Sequence, residues 1–182
     1  MKASIYIAMT LDGYIARENG DLDWLLGSNK KAENVPENED IDFNAFMDSV
    51  DVLVLGRNTY EFVVSYGEWP YGNMSVIVLS STLTAISDVF SNKIQLRNCS
   101  PVELYDELKD SGKKHLYIDG GKTIQGFLEA GLINEIIITK LPILIGSGIP
   151  LFGQLSKDVK LRHLETVSFK NGFVRSKYEV LM

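Results

Sequence analysis

The sequence predicts an α/β fold: a mostly parallel central sheet with helices on both faces, closed by an antiparallel hairpin at the C-terminus. Short β-branched runs recur along the 182 residues, helical patterns lie between them, and an Asn-Gly pair separates two alternating segments near the end. The runs are Ile5–Met9, Val52–Leu55, Val76–Leu79, Leu116–Ile118 and Ile136–Ile138. Each is short and bounded by polar residues or glycine, as strands buried on both faces of a parallel sheet are. Their alternation with helices is what an α/β protein requires.

Taken in order, the first run lies in MKASIYIAMTLDGYIA and is broken by Thr10 and Asp12. It is too short for the apolar region of a signal peptide, and no segment approaches membrane-spanning length. The polar, acidic stretch Asn29–Asp40 reads as a mobile loop. Phe43, Phe46, Met47 and Val50 then fall at helical spacing and make one apolar face. Val52–Leu55 stops at Gly56-Arg57 and passes into a helix. Val76–Leu79 ends in the clustered hydroxyls of Ser80, Ser81 and Thr82.

Ser100-Pro101-Val102-Glu103 is a capping box with proline at the first helical position, followed by Leu104 and Leu108 one turn apart. Leu116–Ile118 runs through Asp119-Gly120-Gly121 into a helix with Ile124, Phe127 and Leu128 on one face, and Gly131 supplies its stop. Gly146-Ser147-Gly148 reads as a turn, near a ligand or merely structural. Asn171-Gly172 predicts a two-residue hairpin between Leu164–Phe169 and Phe173–Val180, with Val174, Ser176, Tyr178 and Val180 sharing a face. No repeat or linker divides the chain, so one domain over residues 1–182 is expected.

Composition excludes several function classes. The net charge of −6 argues against a nonspecific nucleic-acid binder, which needs a basic face. A nucleotide cofactor stays open, because a local Arg and Lys can hold phosphate on an acidic protein. The lone Cys99 permits no internal disulfide and no cysteine-based zinc site, and a reducing cytoplasm fits. His115 and His163 lack metal-ligand spacing, and His115, opening an apolar run, reads as structural. There is no G-x-S-x-G elbow for hydrolysis.

The chemistry-bearing stretch is DVLVLGRNTYE, residues 51–61. Gly56 lets a ligand or another backbone approach, the following N–H groups open a helix where an anion is favoured, and Arg57 adds a planar cationic fork. Gly120-Gly121-Lys122-Thr123 repeats that logic. It is not a P-loop, since Leu116 stands where the first glycine is needed, and no G-x-G-x-x-G follows the first strand. Alone, this turn reads equally well as a tight strand-to-helix connection; beside Gly56-Arg57 it favours nucleotide binding. Ser80 and Ser81 could bond phosphate, although a turn cap is the stronger reading taken alone.

Among the acids Asp12, Asp21, Asp23, Asp40 and Asp42, the last shares a helical face with Phe46. There it could face a cleft and bond a nitrogen heterocycle. From spacing alone, an acid favoured by the helix dipole is the stronger reading.

In order, IYIAMTLDGYIA, GDLDWL, DVLVLGRNTYE, VIVLSST, LYIDGGKTIQGFL and EIIITKLPILIGSGIPLF resemble the dihydrofolate reductase-like superfamily. The nearer branch is that of the reductase domain at the C-terminus of the bifunctional riboflavin-biosynthesis deaminase-reductase. The resemblance covers residues 2–182. It implies a three-layer sandwich, an NADPH cofactor across the strand ends, a small heterocyclic substrate such as a pterin or pyrimidine, and a homodimer.

Carried over by position, Gly56, Arg57, Asn58 and Thr59 match the segment that grips cofactor phosphates. Ser80 and Ser81 match the segment beside the adenosine phosphate. Gly120, Gly121, Lys122, Thr123 and Ile124 match the turn under the pyrophosphate and nicotinamide, and Ala8 and Met9 the first-strand backbone near that ring. Arg57 with Lys122 implies NADPH over NADH. Trp24 matches the active-site-loop tryptophan, Asp42 and Phe46 the acid and aromatic that hold a pterin, and Thr139 a supporting threonine. Asp12, just after the first strand, is a second candidate acid.

Three departures stand out. Asp119 and Ile124 replace the glycine and tyrosine of dihydrofolate reductase, and Tyr14 stands where the riboflavin branch has a base. The D-[ND]-P segment of that branch, which handles a ribose phosphate, is missing.

Overall fold

A computed structural model describes residues 1–26, 37–65, 67, 69–87 and 93–181, with backbone alone at Leu26 and at 37–42. In chain order the elements are β1 (Lys2–Thr10), β2 (Tyr14–Ala16), α1 (Asp23–Leu26), α2 (Glu37–Asp48), β3 (Val52–Gly56) and α3 (Arg57–Ser65). Then come β4 (Ser75–Leu79), β5 (Ile94–Arg97), α4 (Pro101–Asp110), β6 (His115–Asp119) and α5 (Gly121–Glu129). Last are β7 (Glu135–Leu141), β8 (Ile149–Pro150), β9 (Lys160–Ser168) and β10 (Val174–Leu181). The main sheet has the order β5-β4-β3-β6-β1-β7-β10-β9, and β2 pairs with β8 in a small second sheet. From β5 to β7 all neighbours are parallel; β10 runs antiparallel to both β7 and β9.

Each predicted run is a strand with few exposed residues, because both sheet faces are covered. On one face Ile5, Val54, Ile118 and Ile138 pack with Leu104 and Leu108 of α4 and with Ile124, Phe127 and Leu128 of α5. On the other, Leu53, Leu55, Val76 and Val78 pack with Phe46 of α2 and Tyr60 of α3. This is a three-layer α/β arrangement. The α4 start follows its capping box: Ser100 Oγ accepts from Glu103 N at 3.3 Å, and the Glu103 carboxylate accepts from Ser100 N at 2.8 Å. Such a cap stabilises a helix by about 1 kcal/mol.

Two expectations change. The C-terminal hairpin is closed by Phe169 N donating to Phe173 O, so its loop is Lys170-Asn171-Gly172 rather than the Asn-Gly pair alone. Gly172 at φ +87° supplies the left-handed residue that a three-residue loop needs. Residues 37–40 of the predicted mobile loop form the first turn of α2; the remainder lies outside the described residues.

The lower edge of the sheet is pinned by His115, which is buried. Its Nε2 meets Ser4 Oγ at 2.8 Å, and its Nδ1 meets the carbonyl of Ser49, just past α2, at 3.0 Å. Ser4 also reaches Glu135, which Lys2 and Lys177 approach at 2.8 and 3.0 Å. Burial, then the Lys2 ammonium, push the imidazole below its usual 6.5, so the fold prefers it neutral. The unfolded chain therefore takes up this proton first as pH falls. The contribution is full above 6.5 and is lost as pH drops through the folded value. We expect His115→Gln to flatten the melting temperature against pH just below 6.5, between the unfolded and the folded value; an unchanged slope would remove His115 as its source.

Candidate functional site

A cleft of about 620 Å³ opens at the carboxyl ends of β1, β3, β4 and β6. Here the sheet runs β3-β6-β1, so chain order reverses around β6, where open α/β sheets leave a crevice. The β3–α3 junction supplies Gly56, Arg57, Asn58 and Thr59 to its wall, and the β6–α5 junction supplies Asp119, Gly120, Gly121, Lys122 and Thr123. Ser80, Ser81 and Thr82 join from the end of β4, and Tyr6, Ile7 and Ala8 from β1.

The two glycine turns are built reciprocally. A Cβ on Gly56 would stand 2.5 Å from Thr123 Oγ1, and one on Gly120 would stand 2.5 Å from Thr59 Oγ1. Each threonine is the third residue after its own glycine and sits against the other's. This interlock sets the starts of α3 and α5 side by side. Two helix N-termini in one cleft give it a positive end that suits an anion. Gly120 holds φ +91°, a conformation that disfavours any side chain.

Arg57 is oriented before any ligand arrives. Its Nε donates to Glu61 at 2.8 Å, one helical turn on, and its Nη1 to Thr82 Oγ1 at 3.2 Å. Ser80 Oγ accepts from the backbone N–H groups of Thr82 and Leu83, so it caps the turn that holds Thr82 beside Arg57. The capping role read from the sequence and the cleft position coexist.

Asp119 is the charged group the sequence reading left out of the site. It lines the cleft, and its Oδ1 accepts from Gly120 N at 2.8 Å. Burial outweighs that hydrogen bond and raises its pKa to about 6. A carboxyl near neutrality in a cleft is suited to proton transfer. The signal was present in the sequence: an acid ending an apolar strand directly before Gly-Gly.

The near wall is the segment after β1. Asp12 Oδ2 accepts from Ile145 N at 3.0 Å and Gly146 N at 2.8 Å, while Thr10 Oγ1 donates to its Oδ1 at 2.5 Å. These bonds, led by Thr10, lower its pKa. Asp12 is thus a latch tying the β1 end to the turn after β7, and it does not line the cleft. The β2–β8 pair extends the tie and presses Ile15 and Ile149 toward Gly121.

Other expected residues sit outside the cleft. Met9 and Ile124 pack into the α4/α5 core: Met9 because its strand alternates faces with Ala8, Ile124 because it lies on the buried face of α5. Phe46 is wedged under α2 among Tyr6, Tyr117 and His115, with ring centroids 5.1, 5.1 and 5.6 Å away. Trp24 packs on Leu141 and Phe173, and its buried Nε1 has no hydrogen-bond partner among the described residues. Thr139 is buried in the sheet row between Ala8 and Arg175. Asp42 lies in α2, and its side chain is outside the described residues. Among the described residues no helix is long and apolar enough to cross a membrane, and no group of His, Cys, Asp and Glu could hold a metal.

The sequence model of the RibD C-terminal domain matches residues 3–175. A Shewanella sp. PV-4 structure described as a putative riboflavin biosynthesis protein superposes with TM-score 0.88 and 39% identity, covering 100% of both chains. The Bacillus subtilis protein YwjB is 33% identical over 170 residues, 92% of each chain. Dihydrofolate reductase from Enterococcus faecalis, solved with NADP(H), shares the fold at TM-score 0.66 and 20% identity, covering 100% of this chain and 97% of that one.

Proposed function

The chain belongs to the RibD C-terminal domain family, and on that premise we propose that it is an NADPH-dependent reductase of a small nitrogen heterocycle, pterin- or pyrimidine-like. The observation that carries this is the interlocked pair of glycine turns beside Asp119. The residues present suit the cofactor: a cradle that a Cβ would fill, two helix N-termini, and Arg57, Lys122, Ser81 and Thr82 as donors for phosphate. When bound, the dihydronicotinamide supplies the hydride.

The chain's own part is position and proton. Gly56, Gly120 and Gly121 admit the dinucleotide against the backbone, and Arg57 with Lys122 favours the extra phosphate of NADPH. Asp119, protonated in part near neutral pH, gives its proton to the nitrogen or oxygen of a C=N or C=O bond as the carbon accepts hydride. Its carboxylate is then reprotonated from solvent through the open side of the cleft. The two ribbon strands and the Asp12 latch form the wall that limits water at the reacting end.

A panel of pterins and pyrimidines, followed by NADPH oxidation, tests the reading. Turnover of at least one is expected, and tight NADPH binding with no turnover of any would favour a noncatalytic nucleotide-binding role. The family match, and the Shewanella protein's description as a putative riboflavin biosynthesis protein, favour a second reading within that pathway, for which the reaction to test is reduction of 5-amino-6-(5-phosphoribosylamino)uracil. Tyr14 and the missing D-[ND]-P segment weigh against it. A phosphorylated substrate turned over much faster than its dephosphorylated form would decide for it.

A further inference from the structure

Asp119 ends β6 half-buried and lines the cleft directly before Gly120-Gly121. Its Oδ1 accepts from Gly120 N at 2.8 Å; among the described residues its Oδ2 has no hydrogen-bond donor and the carboxylate no ion-pair partner. The cations of the cleft are placed elsewhere: Arg57 is drawn to Glu61 and Thr82, and Lys122 sits in the first turn of α5. The other titratable neighbours are phenols. Tyr117, two residues earlier on the same strand face, donates its hydroxyl to the Tyr6 carbonyl at 2.8 Å. Tyr71 packs in the same layer from the segment before β4, and Tyr6 reaches the cleft from β1. Burial holds the Tyr71 and Tyr117 hydroxyls above the usual phenol value of 10, so both stay neutral where a carboxyl changes charge.

A dinucleotide carries a pyrophosphate, negative throughout the working pH range, into a cleft that already holds this uncompensated carboxylate. Like charges disfavour the ionised carboxyl, and the ligand also displaces the water that solvates it. One proton on the open oxygen, Oδ2, relieves both effects.

We propose that the dinucleotide binds together with one proton, taken from solvent onto Asp119, so that cofactor affinity falls as pH rises. The proposal rests on the reductase reading and deepens it by adding the regulation of that same site. The linkage acts between the carboxyl's value in the free protein, about 6, and its higher value in the complex. With cofactor bound, the site holds both parts that reduction of a C=N or C=O bond consumes, the hydride on the cofactor and the proton on Asp119. Transfer of both leaves oxidised cofactor and the Asp119 carboxylate, and solvent returns the proton as the next reduced cofactor binds.

The test is calorimetric titration of the full chain near neutral pH with NADPH and with NADH, each in buffers of different ionisation enthalpy, which counts the protons exchanged. NADH lacks the extra phosphate, whose own titration at about pH 6 could exchange a proton. Wild type is expected to take up about half a proton or more beyond Asp119→Asn, and equally so with either nucleotide. Asp119→Asn should bind both nucleotides severalfold tighter than wild type on the alkaline side and equally well on the acid side. His115 opens the strand that Asp119 ends, so His115→Gln removes a second titrating group far from the cleft and should leave the uptake unchanged. Nucleotide binding without proton uptake in wild type would overturn the proposal and leave the reductase reading standing. Uptake that persists in Asp119→Asn, or is lost in His115→Gln, would overturn it as well. Binding of neither nucleotide would remove the reductase reading and the proposal with it.

Discussion

Asp119→Asn is expected to lose turnover by about 100-fold or more while making the protein harder to unfold. Both effects have one cause. The carboxyl sits in surroundings that disfavour its charge, and its pKa rises from 3.8 to about 6. An acid raised in the folded state is stabilising only while protonated. Its contribution is full below the unfolded value and is lost as pH climbs through the folded one. Above pH 6 the native state thus bears a cost on the order of 2–3 kcal/mol. Asparagine keeps an oxygen for Gly120 N without the charge. Melting of variant and wild type should coincide near pH 4 and diverge by several degrees by pH 7, with the variant higher. A variant that loses activity and stability together would mark Asp119 as structural. Running Asp42→Asn beside it compares the acid in the cleft with the acid expected from the helix pattern.

The glycine interlock carries the second large effect. Gly56→Ala brings a methyl to 2.5 Å from Thr123 Oγ1, so the Thr123 side chain or the start of α5 must shift. Overpacking of this kind costs about 1–3 kcal/mol, and the cost falls where the cofactor would lie. NADPH affinity is expected to drop about tenfold or more. Adding Thr123→Ala removes the clashing oxygen and should recover most of the loss. Gly120→Ala should not be recovered by Thr59→Ala, because the backbone at φ +91° stays strained for any side chain. Equal recovery in both pairs would mean that the space between the turns, rather than the Gly120 backbone, is what matters.

Much of this architecture was legible because the strands are buried on both faces. A run such as Val52–Leu55 has no amphipathic ambiguity, and glycine punctuation marks where each strand ends. β5 escaped notice because Ile94-Gln95-Leu96-Arg97 is an edge strand with only Ile94 fully buried. β2 and β8 are three and two residues long, too short for a period to show.

At the site, the glycine turns were readable from residue type, but their interlock was not, since it joins Gly56 to Thr123, far apart in the chain. Met9 shows a different limit: the sequence does not say which layer its side chain joins, and alternate residues of β1 serve different layers, so the Met9 side chain packs in the α4/α5 core. Asp12 was recognised as an acid at the correct place, yet its task depends on backbone N–H groups at 145 and 146 that only the fold brings near. Asp119 became notable once its burial beside the cleft was known.

The proposed function stands on a phosphorylated dinucleotide binding in the cleft between the two glycine turns. Titration of the full chain with NADPH and NADH, followed by energy transfer from Trp24 and Trp69 to the nicotinamide, tests it most directly. Saturable binding of both is expected, tighter for NADPH by about tenfold or more, with the difference collapsing in Arg57→Gln. Absence of binding by either nucleotide would contradict it and leave Gly56 and Gly120 as strand-to-helix connections alone.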